Sequence, residues 1–162
     1  MITMLEIERK YLVVSDAFKE AAHKTSYMIQ GFLNTDPDRT VRVRLYDNRG
    51  SLTIKGRSSE DGTTRFEWET EISTEEAEAL LELCEEGMIE KTRYEVAVGD
   101  KLFEVDEFMG ENEGLTVAEI ELTSTDELFV SPDWLGDEVT GEAKYYNSNL
   151  AQQPFKKWKD EY

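Results

Sequence analysis

The chain carries one cysteine, Cys84, one histidine, His23, and few prolines. A lone cysteine excludes an intramolecular disulfide and suits a reducing compartment, so a cytoplasmic location is expected. A lone histidine with no cysteine cluster beside it argues against zinc and against histidine-based acid–base chemistry. No apolar run approaches the roughly 20 residues of a membrane-crossing helix, and no signal-peptide pattern opens the chain, so no membrane partner is expected. Bases are scarce as well: 18 Lys and Arg face 36 Asp and Glu, a formal charge of −18. Such a surface repels nucleic acid and anionic lipid, and any phosphate-bearing ligand must be held by bases gathered in one place. There is no internal repeat, low-complexity stretch or linker, and 162 residues suit a single domain with its own core.

What the chain has instead is charged alternation, repeated from strand to strand. In an extended segment successive side chains point to opposite faces. From Met4 to Val14 this sets Glu6, Glu8 and Lys10 against Leu5, Ile7, Arg9 and Tyr11. The pattern returns with Arg42 and Arg44 in Thr40 to Tyr46, with Lys55 and Arg57 in Leu52 to Arg57, and with Arg65, Glu67 and Glu69 in Arg65 to Ile72. It returns again with Lys91 and Arg93, with Glu104 and Asp106, and with Glu119 and Glu121. Ile89 breaks the rule, being apolar on the parity of Lys91 and Arg93.

Between these strands, Ser15 and Asp16 can cap a short helix ending near Lys24. Ser73-Thr74-Glu75-Glu76 is a capping box ahead of Ala77, Leu80, Leu81 and Cys84 at helical spacing, with Gly87 as the stop. Asn48-Arg49-Gly50 reads as a hairpin turn, Pro132 to Gly136 as a short helical turn over apolar surface, and Asn147 to Gln153 as a last helical turn.

An open sheet with a salt-bridged outer face would account for this pattern, and so would a barrel closed with its charged face inward. Eight strands can close around a lumen one small ligand wide. Arginine and lysine suit phosphate oxygens, whereas carboxylates on the same wall make sense only as ligands for a hard divalent cation such as Mg²⁺ or Mn²⁺.

The Glu6-x-Glu8-x-Lys10 motif, followed in order by the charged strands from Met4 to about Pro154, resembles the CYTH or triphosphate tunnel metalloenzyme superfamily, in particular its small bacterial tripolyphosphatases. The resemblance implies an α+β domain over residues 1–162: an eight-stranded antiparallel β-barrel with a charged lumen and covering helices, and a peripheral tail at 155–162. It implies metal-dependent hydrolysis of inorganic tripolyphosphate to pyrophosphate and phosphate. Glu6, Glu8, Glu119 and Glu121 would serve one metal, and Glu67, Glu69 and Asp106 a second that activates water. Lys10, Arg42, Arg44, Lys55, Arg57, Arg93 and Lys144 would hold phosphates, and Lys91, with Lys10 and Arg93, would assist the attack. One departure is Gln30-Gly31-Phe32-Leu33, where the family commonly has Gln-Gly-Tyr-Leu with a functional tyrosine.

Rival functions are a class IV-type adenylate cyclase, a thiamine or nucleoside triphosphatase, and a non-catalytic polyphosphate-binding module; monomer and homodimer both remain open. The aromatics Phe66, Trp68 and Tyr94 fall on the outward parity, leaving little to grip a nucleobase, so tripolyphosphate is expected ahead of ATP.

Overall fold

A computed structural model describes residues 4–161. The described residues form nine strands: β1 (Leu5–Val13), β2 (Lys24–Asn34), β3 (Thr40–Tyr46), β4 (Arg49–Lys55), β5 (Thr64–Ile72), β6 (Ile89–Val98), β7 (Lys101–Phe108), β8 (Thr116–Glu121) and β9 (Leu135–Glu138). Helices are few: α1 (Phe18–Ala21), α2 (Thr74–Leu81) and α3 (Asn147–Gln152), with 3₁₀ turns at Gly110–Asn112, Ala143–Tyr145 and Phe155–Glu161. The strands run β5-β4-β3-β2-β6-β7-β8-β1, and β1 returns to pair with β5 through Leu5↔Phe66, Glu6↔Arg65 and Ile7↔Thr64. All eight neighbours are antiparallel and the ring is closed, so the barrel has no free edges around its girth.

The segment expected to be a helical turn near Pro132 instead buries Trp134 and enters β9, which pairs with β1 through Tyr11↔Glu138 and Val13↔Leu135. A strand has two edges. β8 occupies one edge of β1, so β5 takes the start of the other and β9 its end. Between them the Lys10 amide donates to Thr140 Oγ1 and the Val139 amide to the Lys10 carbonyl, which leaves that stretch of backbone satisfied.

Outside the barrel, α1 and the Trp134 segment cover β6, β7, β8 and β1 over a core of Phe18, Val96, Phe103, Val105, Ala118 and Ile120. Full burial of one such side chain contributes about 1.5–3 kcal/mol. α1 is shorter than the expected run to Lys24, because Ala22 is already extended and Lys24 pairs with Glu95 in the sheet. On the other side α2 lays Ala77 and Leu81 against Val43, with its capping box formed as expected: the Glu76 amide donates to Ser73 Oγ, and the Ser73 amide to Glu76 Oε1. The hairpin beneath it turns one residue earlier than expected. Asp47 and Asn48 take the left-handed conformation (φ 47° and 60°), which a tight hairpin needs at both central positions. Gly50 is thereby freed for β4, where a Cβ would meet Ala77 Cβ at 2.8 Å and the Ser73 carbonyl at 2.9 Å. The covering helix α2 reaches β5 only at Ile72. Tyr94 packs edge-to-face on Phe18 at 5.2 Å, but Phe66 and Trp68, expected under a helix, are 43% and 38% exposed.

Inside, the lumen is layered along its axis. Ile89, the sequence irregularity, is fully buried with Phe32, Phe108, Leu115 and Val117 at one end, where Val139, Tyr145 and Leu150 from the chain after β9 close the barrel. Ile89 shares its parity with the charged residues because it belongs to this apolar floor. The tail continues the closure, with Trp158 edge-to-face on Tyr145 at 5.3 Å and the Phe155 amide donating to Asn112 Oδ1 at 2.8 Å.

Candidate active site

Two connected clefts occupy the lumen above this floor. The inner one, about 800 Å³, is lined by Lys10, Arg42, Arg44, Lys55, Arg65, Lys91 and Arg93. The outer one, about 1050 Å³, is rimmed by Glu6, Glu8, Glu67, Glu69, Glu104, Glu119 and Glu121. They share Glu6, Glu8, Arg42, Arg44, Lys55, Arg93 and Glu119, so they are successive parts of one tunnel: a carboxylate mouth above a cationic chamber. Strand register pairs Glu8 with Glu121 at the mouth, and sets Lys10 beside Glu119 on β1 and β8 and Lys55 beside Glu67 on β4 and β5, where the two parts meet.

Charges so enclosed need partners. Lys55 Nζ lies 3.1 Å from Glu6 Oε2, and Lys10 Nζ lies 3.6 Å from Glu119 Oε1. Arg93 grips Asp106 with both Nε and Nη2 at 2.8 and 2.9 Å and reaches Glu104 at 3.0 Å. Lys91, almost wholly buried, donates to Asp106 at 2.8 Å and to Asn147 Oδ1 at 2.9 Å. Arg44 Nε donates to Gln30 Oε1 at 3.0 Å, and Arg42 Nη2 to Thr53 Oγ1 at 3.1 Å. Among the described residues Arg42 Nε is buried with no acceptor. A buried guanidinium N–H without a partner is costly, and an anion in the chamber would satisfy it.

The proton affinities follow from this crowding. Burial, outweighing the pull of Asp106 and reinforced by Arg93 and Arg44, brings Lys91 down to about 7. Burial, with Arg42 and Arg93 nearby, lowers Arg44 to about 9. Burial opposes ionisation of Asp106, but Arg93 and Lys91 overcome it and hold the carboxyl well below the usual range. At the mouth, burial and the hydrogen bond to Glu6 raise Glu67 to about 7. Burial and the neighbouring Glu119 and Glu6 raise Glu8 well above the carboxylate norm. Burial also opposes ionisation of Glu6, yet Lys55 keeps it ionised.

Most residues singled out in the sequence meet in this tunnel, and three do not take the places expected of them. Arg57 is exposed and paired with Asp38 on the outside, because β4 ends at Lys55 and the alternation lapses with it. Lys144 is exposed on a 3₁₀ turn, its ammonium over the rings of Tyr145 (5.2 Å) and Trp158 (4.9 Å). Asp106, expected as a metal ligand, faces the lumen side beside its cross-strand partner Arg93 but does not line either cleft, being buried and committed to Lys91 and Arg93. Phe32 does point inward and lines the chamber, whereas Tyr27 is on the surface with its hydroxyl donating to Glu90. Sequence reading missed Tyr146 and Asn147, which reach the chamber from the closing segment. Tyr146 sets its ring 5.2 Å from Lys10 Nζ and 5.8 Å from the Arg65 guanidinium. Neither residue lies on an alternating strand, so no periodic signal marked it.

Among the described residues no group of three acidic, histidine or cysteine side chains stands ready-made as a metal shell. The donor chemistry nevertheless fits a hard cation. The mouth gathers carboxylates with no nitrogen or sulfur ligand of the zinc type among the described residues, and Glu6 stands between Glu8 and Glu67, a crowding of carboxyl groups that a divalent ion would relieve.

The CYTH domain family matches residues 4–153. The chain belongs to the CYTH family. Two curated relatives are each named inorganic triphosphatase. One, from Acetivibrio thermocellus, is 48% identical over 96% of this CYTH chain and 98% of its own length. The other, from Nitrosomonas europaea, is 37% identical over 91% of this chain and 97% of its own. The crystal structure of the inorganic triphosphatase NE1496 superposes with a TM-score of 0.65 at 34% identity, over 93% of this chain and 95% of that one. A Pyrococcus horikoshii protein at 18% identity, covering 75% of this chain and 80% of its own, shares the CYTH fold with a TM-score of 0.61.

Proposed function

We propose that this CYTH protein is an inorganic triphosphatase, hydrolysing tripolyphosphate to pyrophosphate and phosphate with Mg²⁺ or Mn²⁺. The observation that carries the reading is the cationic chamber itself, in which Arg42 Nε is buried without an acceptor while Lys10, Arg44, Lys55, Arg65 and Arg93 surround the same space. The relatives' names agree with it.

Arginine forks and lysine ammoniums bind the non-bridging oxygens and fix the chain of phosphates along the tunnel axis. Glu6, Glu8, Glu119 and Glu121, with Glu67 and Glu69 across the mouth, would hold the metal. When bound, such an ion neutralises phosphate charge and acidifies its water. Asp106 anchors Lys91 and Arg93. An ammonium has three N–H groups, and Lys91 gives two of them to Asp106 and Asn147. The third is free for an oxygen in the chamber, so Lys91 Nζ can donate to the phosphoryl group or, once neutral, accept a proton from attacking water. Phe32 offers no proton at the position of the family tyrosine, which leaves Lys91 as the titratable group nearest neutrality on this wall.

A chamber lined by cations and a mouth lined by acids suits a ligand that is phosphate from end to end, so the substrate is a small polyphosphate. Among the described residues no helix is long and apolar enough to cross a membrane. The single cysteine, Cys84, is free, which suits a cytoplasmic protein. The test is phosphate release from tripolyphosphate, ATP and thiamine triphosphate with each metal. Tripolyphosphate should be cleaved well ahead of the others, and comparable turnover of ATP or any cyclic AMP would reject the proposal.

A further inference from the structure

The residue that completes the chamber comes from outside the barrel. Asn147, the first residue of α3, accepts two hydrogen bonds on one atom: Gln30 Nε2 donates to Oδ1 at 2.7 Å and Lys91 Nζ at 2.9 Å. The direction of every link in this chain is forced. Arg44 is a donor only, so Gln30 must face it with its oxygen, and the Gln30 NH₂ must then face Asn147. Lys91 too is a donor only, so Asn147 must present its oxygen to both neighbours. Flipping the Asn147 amide would set an NH₂ against an ammonium and another NH₂. The network therefore has one arrangement. It ties two lumen cations from different strands, Arg44 on β3 and Lys91 on β6, to a single side chain of the closing segment.

We propose that Asn147 is a positioning residue that aims Lys91 into the chamber, so that the closing segment, as well as the barrel wall, builds the reactive geometry. The proposal rests on the triphosphatase reading for its kinetic consequence but not for its structural one. Lys91 has a flexible four-carbon stem, and Asp106 alone leaves its ammonium free to swing about one contact. Asn147 supplies the second contact, which fixes where the third N–H points. Without Asn147 the ammonium turns toward Asp106, its remaining acceptor, and away from the phosphates. Substrate binding, which depends on Lys10, Arg42, Arg44 and Arg93, is left largely as it was, because Arg44 keeps its own acceptor on Gln30.

The test compares Asn147→Leu, branched at the same atom but without an acceptor, with Asn147→Asp, which keeps an acceptor oxygen at Oδ1; Asn147→Ala replaces the leucine variant if that does not fold. With tripolyphosphate and Mg²⁺, Asn147→Leu should lose about 10- to 100-fold in kcat, the scale of a misplaced reacting group, with KM within about threefold. Asn147→Asp should recover kcat to within about fivefold while raising KM, since its added negative charge opposes the phosphates. Unchanged kcat in Asn147→Leu, a loss confined to KM, or an aspartate variant as slow as the leucine one would overturn the proposal. A second readout needs no turnover: the ¹H–¹⁵N signal of the hydrogen-bonded Lys91 ammonium at pH 6 in the cold, assigned by its loss in Lys91→Arg. It should be present in the wild type, close to the same position in Asn147→Asp and clearly shifted in Asn147→Leu, where Asp106 is the remaining acceptor; its absence from the wild type or an unshifted signal in Asn147→Leu would overturn the proposal. A wild type inert toward tripolyphosphate would reject the triphosphatase reading, while this signal would still decide the role of Asn147.

Discussion

Asp106→Asn should destabilise the protein far more than its single-atom change suggests. The carboxylate is 2% exposed and touches two cations, Lys91 at 2.8 Å and Arg93 at 2.8 and 2.9 Å. Removing one partner of a buried ion pair typically costs about 3–5 kcal/mol, because the charge left behind stays buried and unpaired. For a chain of this size each kcal/mol corresponds to about 2–4 °C in melting temperature, so the expected loss is about 6–20 °C. The loss is bounded, because Lys91 sits at about 7 in the intact protein and can shed its proton when Asp106 no longer holds it. Two further measurements separate this account from a general packing defect. Asp106→Asn combined with Lys91→Met should be less destabilised than the sum of the single changes, since the second removes a cation the first left stranded. Added tripolyphosphate, without metal, should raise the variant's melting temperature more than the wild type's, because it returns negative charge to the same cations. Thermal unfolding followed by circular dichroism reads all three, and a loss below about 2 °C for Asp106→Asn, on the same scale, would refute the reasoning.

Arg44→Ala should leave the barrel folded and raise KM for tripolyphosphate about 10- to 150-fold, the worth of one charge-assisted hydrogen bond, whereas equal KM would remove Arg44 from the site. Arg57→Ala and Lys144→Ala should turn over at wild-type rates and melt at the wild-type temperature, since both side chains stand outside the tunnel; a kinetic defect in either would restore it to the phosphate site. Glu121→Gln should shift the Mg²⁺ midpoint upward, an amide being a weaker ligand for a hard cation, and an unchanged midpoint would dismiss it. Metal-free protein should lose stability as pH rises from about 5 through 7. Glu67, faced by Glu6, Lys55 and Arg42, binds its proton more tightly folded (about 7) than unfolded (4.5), so its contribution is complete below 4.5 and gone above 7. Glu6 is ionised in both states across that window and adds no slope. Lys91, lowered to about 7, begins to return stability above that pH, so urea titrations at pH 5 and pH 7 that give equal stability would contradict the assigned crowding of the mouth.

The sequence by itself determined which side of each strand faces the lumen. A period of two is a local property, fixed by the backbone wherever the chain is extended, so Glu6, Glu8, Lys10, Arg42, Arg44, Lys55, Lys91, Arg93, Glu119 and Glu121 were legible before any fold. The coexistence of both charges on that side, too many to be idle, was legible as well. Alternation carries no coordinate along the barrel axis, however. Only strand register decided that Ile89 and Phe32 form a floor, that acids gather at one end and bases below them, and that Asp106 falls between two lumen cations. Only strand length decided that Arg57 leaves the lumen. The end of the tunnel depended on contacts far apart in the chain, such as Lys91 with Asn147 and Lys10 with Tyr145, made by a segment with no period to read. Side-chain direction is inherited from the nearest few residues; depth, enclosure and closure arise from pairings that exist only once the ring has closed.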